Sequence, residues 1–402
     1  AQELRNEYTV HSRRAVADLA EPIIFTGFRD NVEGSNNPEF LRWDLDEFKK
    51  ILGDESLPFR TGCNARTPEP QWDVNCPTEY MTISRFLEKT ESEDDHKWYY
   101  FDYKYMHQWF RDRPEFLESV DWRRFGFEKS GSDSTLWIGS KGAHTNCHQD
   151  SYGCNLVAQI HGRKQWLLFP PESSSTIKPT RVPYEESTVY SRLNFFSPTS
   201  EDERTIMRMK ENARVVELEP GQVLLVPNGW WHYVESLDTS VSINVWLPVD
   251  ADYKGRLKEA IVKLLFTNIG EGLPSAPGET KYTRGEAIDL ISMCVLECNK
   301  SKNASSELPP EKKIRESPWT AQDLANEYPR AVKLPRILSV VELREMLVSK
   351  RERFVEKEMH SRSLDDDTKD SAFQRSLETI LNALCHFDVV DKVADSILND
   401  AT

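Results

Sequence analysis

The apolar positions of the chain change their period along its length. Between residues 135 and 247 they come in short runs: TLWIG (135–139), NLVAQI (155–160), KQWLLF (164–169), ARVVEL (213–218), QVLLVP (222–227), WHYVES (231–236) and VSINVWL (241–247). The runs are rich in β-branched and aromatic residues. Turn formers separate them at Gly142, Gly162, Pro170-Pro171, Pro220-Gly221, Asn228-Gly229 and Asp238. Strands at such close spacing predict a sandwich or barrel rather than alternating βα units. From about 253 the apolar residues recur at helical intervals over 254–266, 286–298, 340–359 and 376–398. A polar, proline-containing linker is predicted over 299–318. The first 135 residues are mixed: strands at 22–28, 57–62 and 97–106, a helix over 41–53 and an acidic turn at 91–95. The expected organisation is an N-terminal α+β segment (1–110) completing a mainly β core (111–250), followed by a helical region (251–402).

Composition narrows the function classes. Of 402 residues, 38% are apolar and 29% charged, the balance of a globular protein with a sizeable core. The net charge of −15 repels nucleic-acid phosphates and disfavours an RNA- or DNA-coating role. Seven cysteines, an odd number without a regular framework, predict a reducing compartment, the cytoplasm or the nucleus. No apolar run approaches a membrane span, and AQELRNEYTV at the start has no secretory-signal pattern.

The candidate chemistry lies in His144-Thr145-Asn146-Cys147-His148-Gln149-Asp150. On a strand, residues two apart share a face, so His148 and Asp150 can converge on one ion. His232, opening a new β run after Asn228-Gly229-Trp230-Trp231, is the candidate third ligand. Two imidazoles and one carboxylate leave a face of an octahedron open, which suits Fe(II). Zinc accepts the same ligands, but no separate water-activating group stands out. A lone His-x-Asp is a weak signal; its position at the start of the β block, with a third histidine near the end, gives it weight. His144, four residues from His148, is expected on the same face about 13 Å away, in a structural role. Cys147 and Cys154 read as small buried residues, and Trp230 and Trp231 as packing walls.

These motifs resemble the JmjC family of 2-oxoglutarate oxygenases. The similarity is carried by HTNCHQDSYGCNLVAQIHGRKQWLLFPP (144–171) and GQVLLVPNGWWHYVESLDTSVSINVW (221–246) and covers roughly 20–250. The resemblance implies a cupin-like double-stranded β-helix that uses Fe(II), 2-oxoglutarate and O₂. It gives His148, Asp150 and His232 the role of metal and catalytic ligands. It assigns Lys164 and Thr145 to the distal carboxylate of 2-oxoglutarate, and Asn155 and Asn244 to its keto-acid end. A tyrosine from the 97–106 strand is implied as well; Tyr100 is the choice, with Tyr99 and Tyr103 as competitors. Hydroxylation of a protein side chain is the implied activity. Methyl-lysine demethylation and a catalytically silent interaction protein are the alternatives. TLWIGS, HQDSYGCNLV, GRKQW, PYEES and WWHYVESLD are similar to the branch whose members associate with a small heat-shock protein, which makes such a protein an implied partner. The last helices carry apolar Ile380, Leu381, Leu384, Val389, Val390, Val393 and Ile397, for which packing within the chain is the default expectation, and a homodimer contact is the alternative that the resemblance implies. Substrate selection is expected from loops within 172–212.

Overall fold

The computed structural model describes residues 19–29, 38–91, 96–249, 252–275, 281–306, 320–354 and 369–400. The strands, in chain order, are β1 (Ile23–Phe25), β2 (Leu57–Cys63), β3 (Thr78–Met81), β4 (Lys97–Tyr105), β5 (Ser134–Gly139), β6 (His144–Asp150), β7 (Cys154–His161) and β8 (Lys164–Phe169). They continue with β9 (Pro179–Thr180), β10 (Thr188–Ser191), β11 (Arg214–Leu218), β12 (Val223–Val226), β13 (Trp231–Ser236), β14 (Ser240–Leu247), β15 (Val332–Lys333) and β16 (Arg336–Ile337). Two sheets result, one in the order β15-β1-β12-β7-β14-β5-β4-β2-β3 and the other β16-β11-β8-β13-β6-β10-β9. The named neighbours pair antiparallel, as expected of a double-stranded β-helix.

Burial follows from this arrangement. β7 and β14 are buried along nearly their whole length because both their faces are covered. One face packs on a large aromatic core with Phe40, Phe48, Phe59, Phe86, Phe101 and Trp122 from the N-terminal segments. Each such ring, fully removed from water, contributes about 1.5–3 kcal/mol. Between the sheets a second apolar layer joins Ile24, Val157 and Leu224 to Trp166, Leu168 and Val234. Val157, Trp166 and Val234 of that layer line a cavity between the sheets.

Several elements differ from the sequence pattern. The helix expected over 41–53 is a single 3₁₀ turn (Glu39–Arg42) followed by Leu45–Leu52. Asp44 caps it by accepting the Asp46 and Glu47 amides, and Gly53 ends it at φ 53°. The strand expected at 22–28 pairs only over Ile23–Phe25. The linker expected from 299 is helical as far as Ser306, as the Arg284–Ser306 helix runs on; 307–319 lie outside the described residues. The 340–359 helix is Val340–Glu352, with 355–359 again outside. The 376–398 stretch is two helices, Lys369–Leu384 and Phe387–Asp400, broken at Cys385-His386. The C-terminal region is also not purely helical. β15 pairs with β1 and β16 with β11, so the chain returns to cover the outermost strand of each sheet at one end. The start of the chain, 1–18, and 92–95 of the acidic turn lie outside the described residues.

Of the C-terminal apolar positions, Leu381 and Val390 are buried within the chain, against the Asp252–Ile269 helix and its neighbours. Ile380, Val389 and Val393 face solvent at 40–53% exposure. All seven cysteines are free thiols. No helix among the described residues is long and apolar enough to cross a membrane.

Candidate metal centre

A cavity of about 270 Å³ opens between the sheets. β6, β8, β10 and β13 contribute one wall; β4, β5, β7 and β14 the other. His148 and Asp150 lie two apart on β6, and β13 places His232 directly across from His148. The ligating atoms of the three lie within 4.8 Å of one another. His148 Nε2 is 3.8 Å from Asp150 Oδ1, and the two imidazole centroids are 4.1 Å apart.

The imidazoles are oriented by their own backbone. His148 Nδ1 lies 2.9 Å from the Asn146 carbonyl, and His232 Nδ1 lies 3.0 Å from that of Trp230. A proton on each Nδ1 leaves the Nε2 lone pair for a metal. Burial lowers both to about 4; for His148 the neighbouring His232 adds to the effect. Both are therefore neutral at physiological pH, the form a metal requires. The Asp150 carboxyl is raised by burial, and its Oδ2 accepts the Trp246 indole N–H at 3.2 Å.

Lys164 is 2% exposed. Its ammonium donates to Ser242 Oγ at 2.8 Å and Tyr100 Oη at 3.2 Å, and no carboxylate pairs with it among the described residues. Burial lowers it to about 7. The Tyr100 hydroxyl also meets Thr145. Asn244 donates to Asn155 Oδ1 and accepts the Trp137 indole N–H, both at 2.8 Å. Every residue singled out in sequence as a ligand or co-substrate contact thus lines one cavity.

Two bulges shape it. Between β13 and β6 the register advances two residues on one strand and three on the other, so Thr145 and His148 both face the cavity despite their odd spacing. The same slip corrects the expectation for His144. It does not share the face of His148. It stacks on Phe196 at 4.1 Å in the core behind the sheet, with Nδ1 against the Gly142 carbonyl. A second bulge, between Phe101 and Lys104 of β4, brings both Tyr100 and Tyr103 to the cavity. Tyr99 points away, to Lys89 and the aromatic core. Cys147 and Cys154 are buried, as are Trp230 and Trp231 at 3% and 1% exposure.

Sequence reasoning missed Ser242, Trp246, Trp137 and Tyr190. Counting by two from Asn244 along its strand reaches Ser242 and Trp246, so a period-2 signal was present. Tyr190 sits opposite His148 on β10, a strand too short and polar to read as one. The segment before β10 carries Glu185 and Ser187 into the cavity. It is held from behind by the Asp252–Ile269 helix. There Glu259 takes both Arg181 guanidinium nitrogens (2.9 and 2.6 Å) and the Ser187 amide (2.9 Å).

Comparison with known proteins agrees with this architecture. Residues 10–252 match the model of the cupin-like domain. HSPB1-associated protein 1 of Rattus norvegicus is 43% identical over 236 residues, 56% of this chain and 49% of that protein. Its homolog in Danio rerio is 39% identical over 268 residues, 63% and 58% of the two chains. Lysine-specific demethylase 8 of Xenopus tropicalis is 26% identical over 234 residues, 56% and 48% of the two. The chain spans about half the length of the curated relatives it matches. With more than half its length under the family model, and its strands in the order above, the chain belongs to the family of cupin-like domains.

Proposed function

We propose that the chain is an Fe(II)- and 2-oxoglutarate-dependent oxygenase that hydroxylates a side chain of a protein partner. One observation carries this reading: three convergent metal-binding groups share a cavity with a buried lysine that, among the described residues, forms no ion pair with a carboxylate. A buried ammonium held only by hydroxyls is costly unless an anion joins it, and a dicarboxylate supplies that anion. The donor set fits the ion, since neutral imidazoles and one carboxylate hold Fe(II) and leave adjacent positions open.

When bound, iron and 2-oxoglutarate supply the oxidising power: substrate C–H, O₂ and 2-oxoglutarate give substrate C–OH, succinate and CO₂, one oxygen atom going to each of the hydroxyl and succinate. The chain's residues do the rest. His148 and His232 present fixed lone pairs. Trp246 restrains one oxygen of Asp150 and leaves the other for the ion. Lys164, with Tyr100 and Thr145, receives the far carboxylate, while the Asn155–Asn244 pair, braced by Trp137, lines the other end. Val157, Trp166 and Val234 keep water from the reacting atoms.

Anaerobic titration of the full chain with Fe(II) and 2-oxoglutarate tests this. A visible charge-transfer band in the wild type, lost in His148→Ala and weakened in Lys164→Ala, is expected. A folded wild type without the band overturns the reading. The names of the closely similar relatives favour a second, compatible reading, association with the small heat-shock protein HSPB1. Co-sedimentation with purified HSPB1 checks it, and two independent boundaries refute it.

A further inference from the structure

The metal ligands stand near strand ends. Asp150 is the last residue of β6 and His232 the second of β13. After Asp150 the chain turns through Ser151, Tyr152 and Gly153 into β7. Before His232 it turns between β12 and β13 through Asn228 and Gly229. Strand pairing stops at these turns, so the rigidity a ligand needs has to come from other contacts.

Every residue of the first turn is held. The Ser151 amide donates to the Ser187 carbonyl at 2.8 Å. The Ser151 carbonyl lies against Gly255 of the Asp252–Ile269 helix, so close that a Cβ there would come within 2.9 Å of it. Arg256 of the same helix stands over the Tyr152 ring at 4.8 Å. Gly153 is at φ 76°, where glycine is favoured, and side chains take both its backbone groups. Its amide donates to Asp252 Oδ1 at 2.6 Å, and its carbonyl accepts the Asn228 side-chain amide at 3.3 Å. A second link joins the ligand strands, from Gln149 Nε2 to the Gly229 carbonyl at 2.5 Å. The Asp252 bond is the stronger of the two on Gly153. Its carboxylate is buried at the start of an 18-residue helix, where the helix dipole favours the charge, and it also accepts the Val249 amide at 2.9 Å. Gly153 abuts Trp246 as well, since a Cβ on it would lie 3.7 Å from Trp246 Cβ, and the Trp246 indole holds Asp150. A displacement of Gly153 therefore reaches Asp150 along the backbone and through Trp246.

We infer that Asp252 and Asn228 are positioning residues for the metal centre: between them they hold Gly153, and so fix the turn that carries the Asp150 carboxylate to the turn that leads to His232. This rests on the reading of His148, Asp150 and His232 as metal ligands. Neither Asp252 nor Asn228 lines the cavity; each acts by keeping a ligand from turning away from the ion. The Glu259 clamp, about two turns further along the helix, grips the rim and is a separate tie.

The test measures Mn(II) binding by the full chain, from the electron-paramagnetic signal of the free ion, with the visible spectrum of the Co(II)-saturated chain and urea unfolding beside it. Asp252→Ala is expected to weaken Mn(II) binding about tenfold and to shift the Co(II) band, because the carboxylate ligand is no longer held. Asn228→Ala, which cuts the weaker neutral bond, is expected to weaken binding about threefold. It decides alone should Asp252→Ala fail to fold. Leu257→Ala is the control for lost stability. It empties a buried position of the same helix, in the cluster with Cys294 and Leu381. It should lower the urea midpoint at least as far as Asp252→Ala, yet leave the Co(II) band in place and Mn(II) binding within about twofold. Wild-type affinity and band in both Asp252→Ala and Asn228→Ala, or the same losses in Leu257→Ala, overturn the inference and leave the metal-site reading standing. A folded wild type that binds no Mn(II) sinks that reading, and the inference with it.

Discussion

The floor and the rim of the cavity are built differently. The floor takes His148, Asp150, Lys164, Asn155, Asn244, Ser242 and His232 from five strands between 144 and 247. Those strands are interior to the sheets, and their functional side chains recur every second residue. The rim takes Asp73, Asp102, Tyr103, Glu185 and Tyr190 from a 3₁₀ turn, a bulge and a loop-strand segment, and the last of these is held by a helix outside the barrel. Groups that must present lone pairs to one ion need the rigidity of paired strands. Groups that choose an occupant can sit on segments that vary without disturbing the sheets.

The sharpest way to break that contrast is to remove one member of each. His148→Ala is expected to weaken Mn(II) binding at least a thousandfold, about 4 kcal/mol. Glu185→Gln should leave it within about threefold, because the hydroxyl it accepts is that of Tyr190, a residue outside the ligand set. Isothermal titration with Mn(II) decides. A large loss in Glu185→Gln would show that β10, which pairs directly with the ligand strand, couples rim to floor.

Next in size is the anchor of the rim. Arg181 and Glu259 are 4% and 6% exposed, and Arg181→Ala leaves a buried carboxylate without its cation. The expected cost is about 3 kcal/mol in urea unfolding, whereas Arg181→Met with Glu259→Leu should recover most of it. If both variants keep the Mn(II) affinity of the wild type, the floor is independent of the helix that holds the rim. Lys164→Ala is expected to raise the 2-oxoglutarate dissociation constant about thirtyfold, near 2 kcal/mol, with Mn(II) affinity little changed. Equilibrium dialysis of labelled 2-oxoglutarate reads the first and titration the second; an unchanged dissociation constant would remove Lys164 from the co-substrate.

What could be read in the sequence follows the same division. The β runs of the floor and the convergence of His148, Asp150 and His232 were legible because alternation maps spacing onto facing, whereas Lys164, Asn155 and Asn244 entered through resemblance. Alternation failed where a bulge inserts one residue. Both Thr145 with His148 and Tyr100 with Tyr103 lie three apart, and an unbroken strand would send them to opposite faces. Thr145 and Tyr100 were named only through resemblance, and His144 was placed on the wrong face. Asp73 and Glu185 sit outside any strand period, and the Glu259 clamp carries no local signal because it reaches the Ser187 amide across 72 residues. The two short strands at 332–337 were hidden for the same reason. Two-residue pairings have no period to detect.

The smallest effect contrasts the two histidines that the β6 bulge separates. Burial lowers His144 to about 3, so it stays neutral in the folded chain down to strongly acid pH, while in the unfolded chain it titrates near its ordinary 6.5. Between these values the unfolded state binds one more proton. Stability therefore rises with pH across that window and is lost as pH falls below about 6.5. From pH 7.5 to 5.5 this one group should remove about 1.4 kcal/mol, one unit of titration difference. His148 and His232, held at about 4 by burial, act with the same sign in the metal-free chain. A bound metal also excludes the proton from them and leaves that sign unchanged. The contribution of His144 is isolated by His144→Phe, which keeps a ring against Phe196 and removes the titrating group. Urea unfolding at the two pH values should show the variant losing about 1.4 kcal/mol less than the wild type. Equal losses would mean that His144 is protonated in the folded chain, and the stacked core behind the ligand strand would then have to admit a charge.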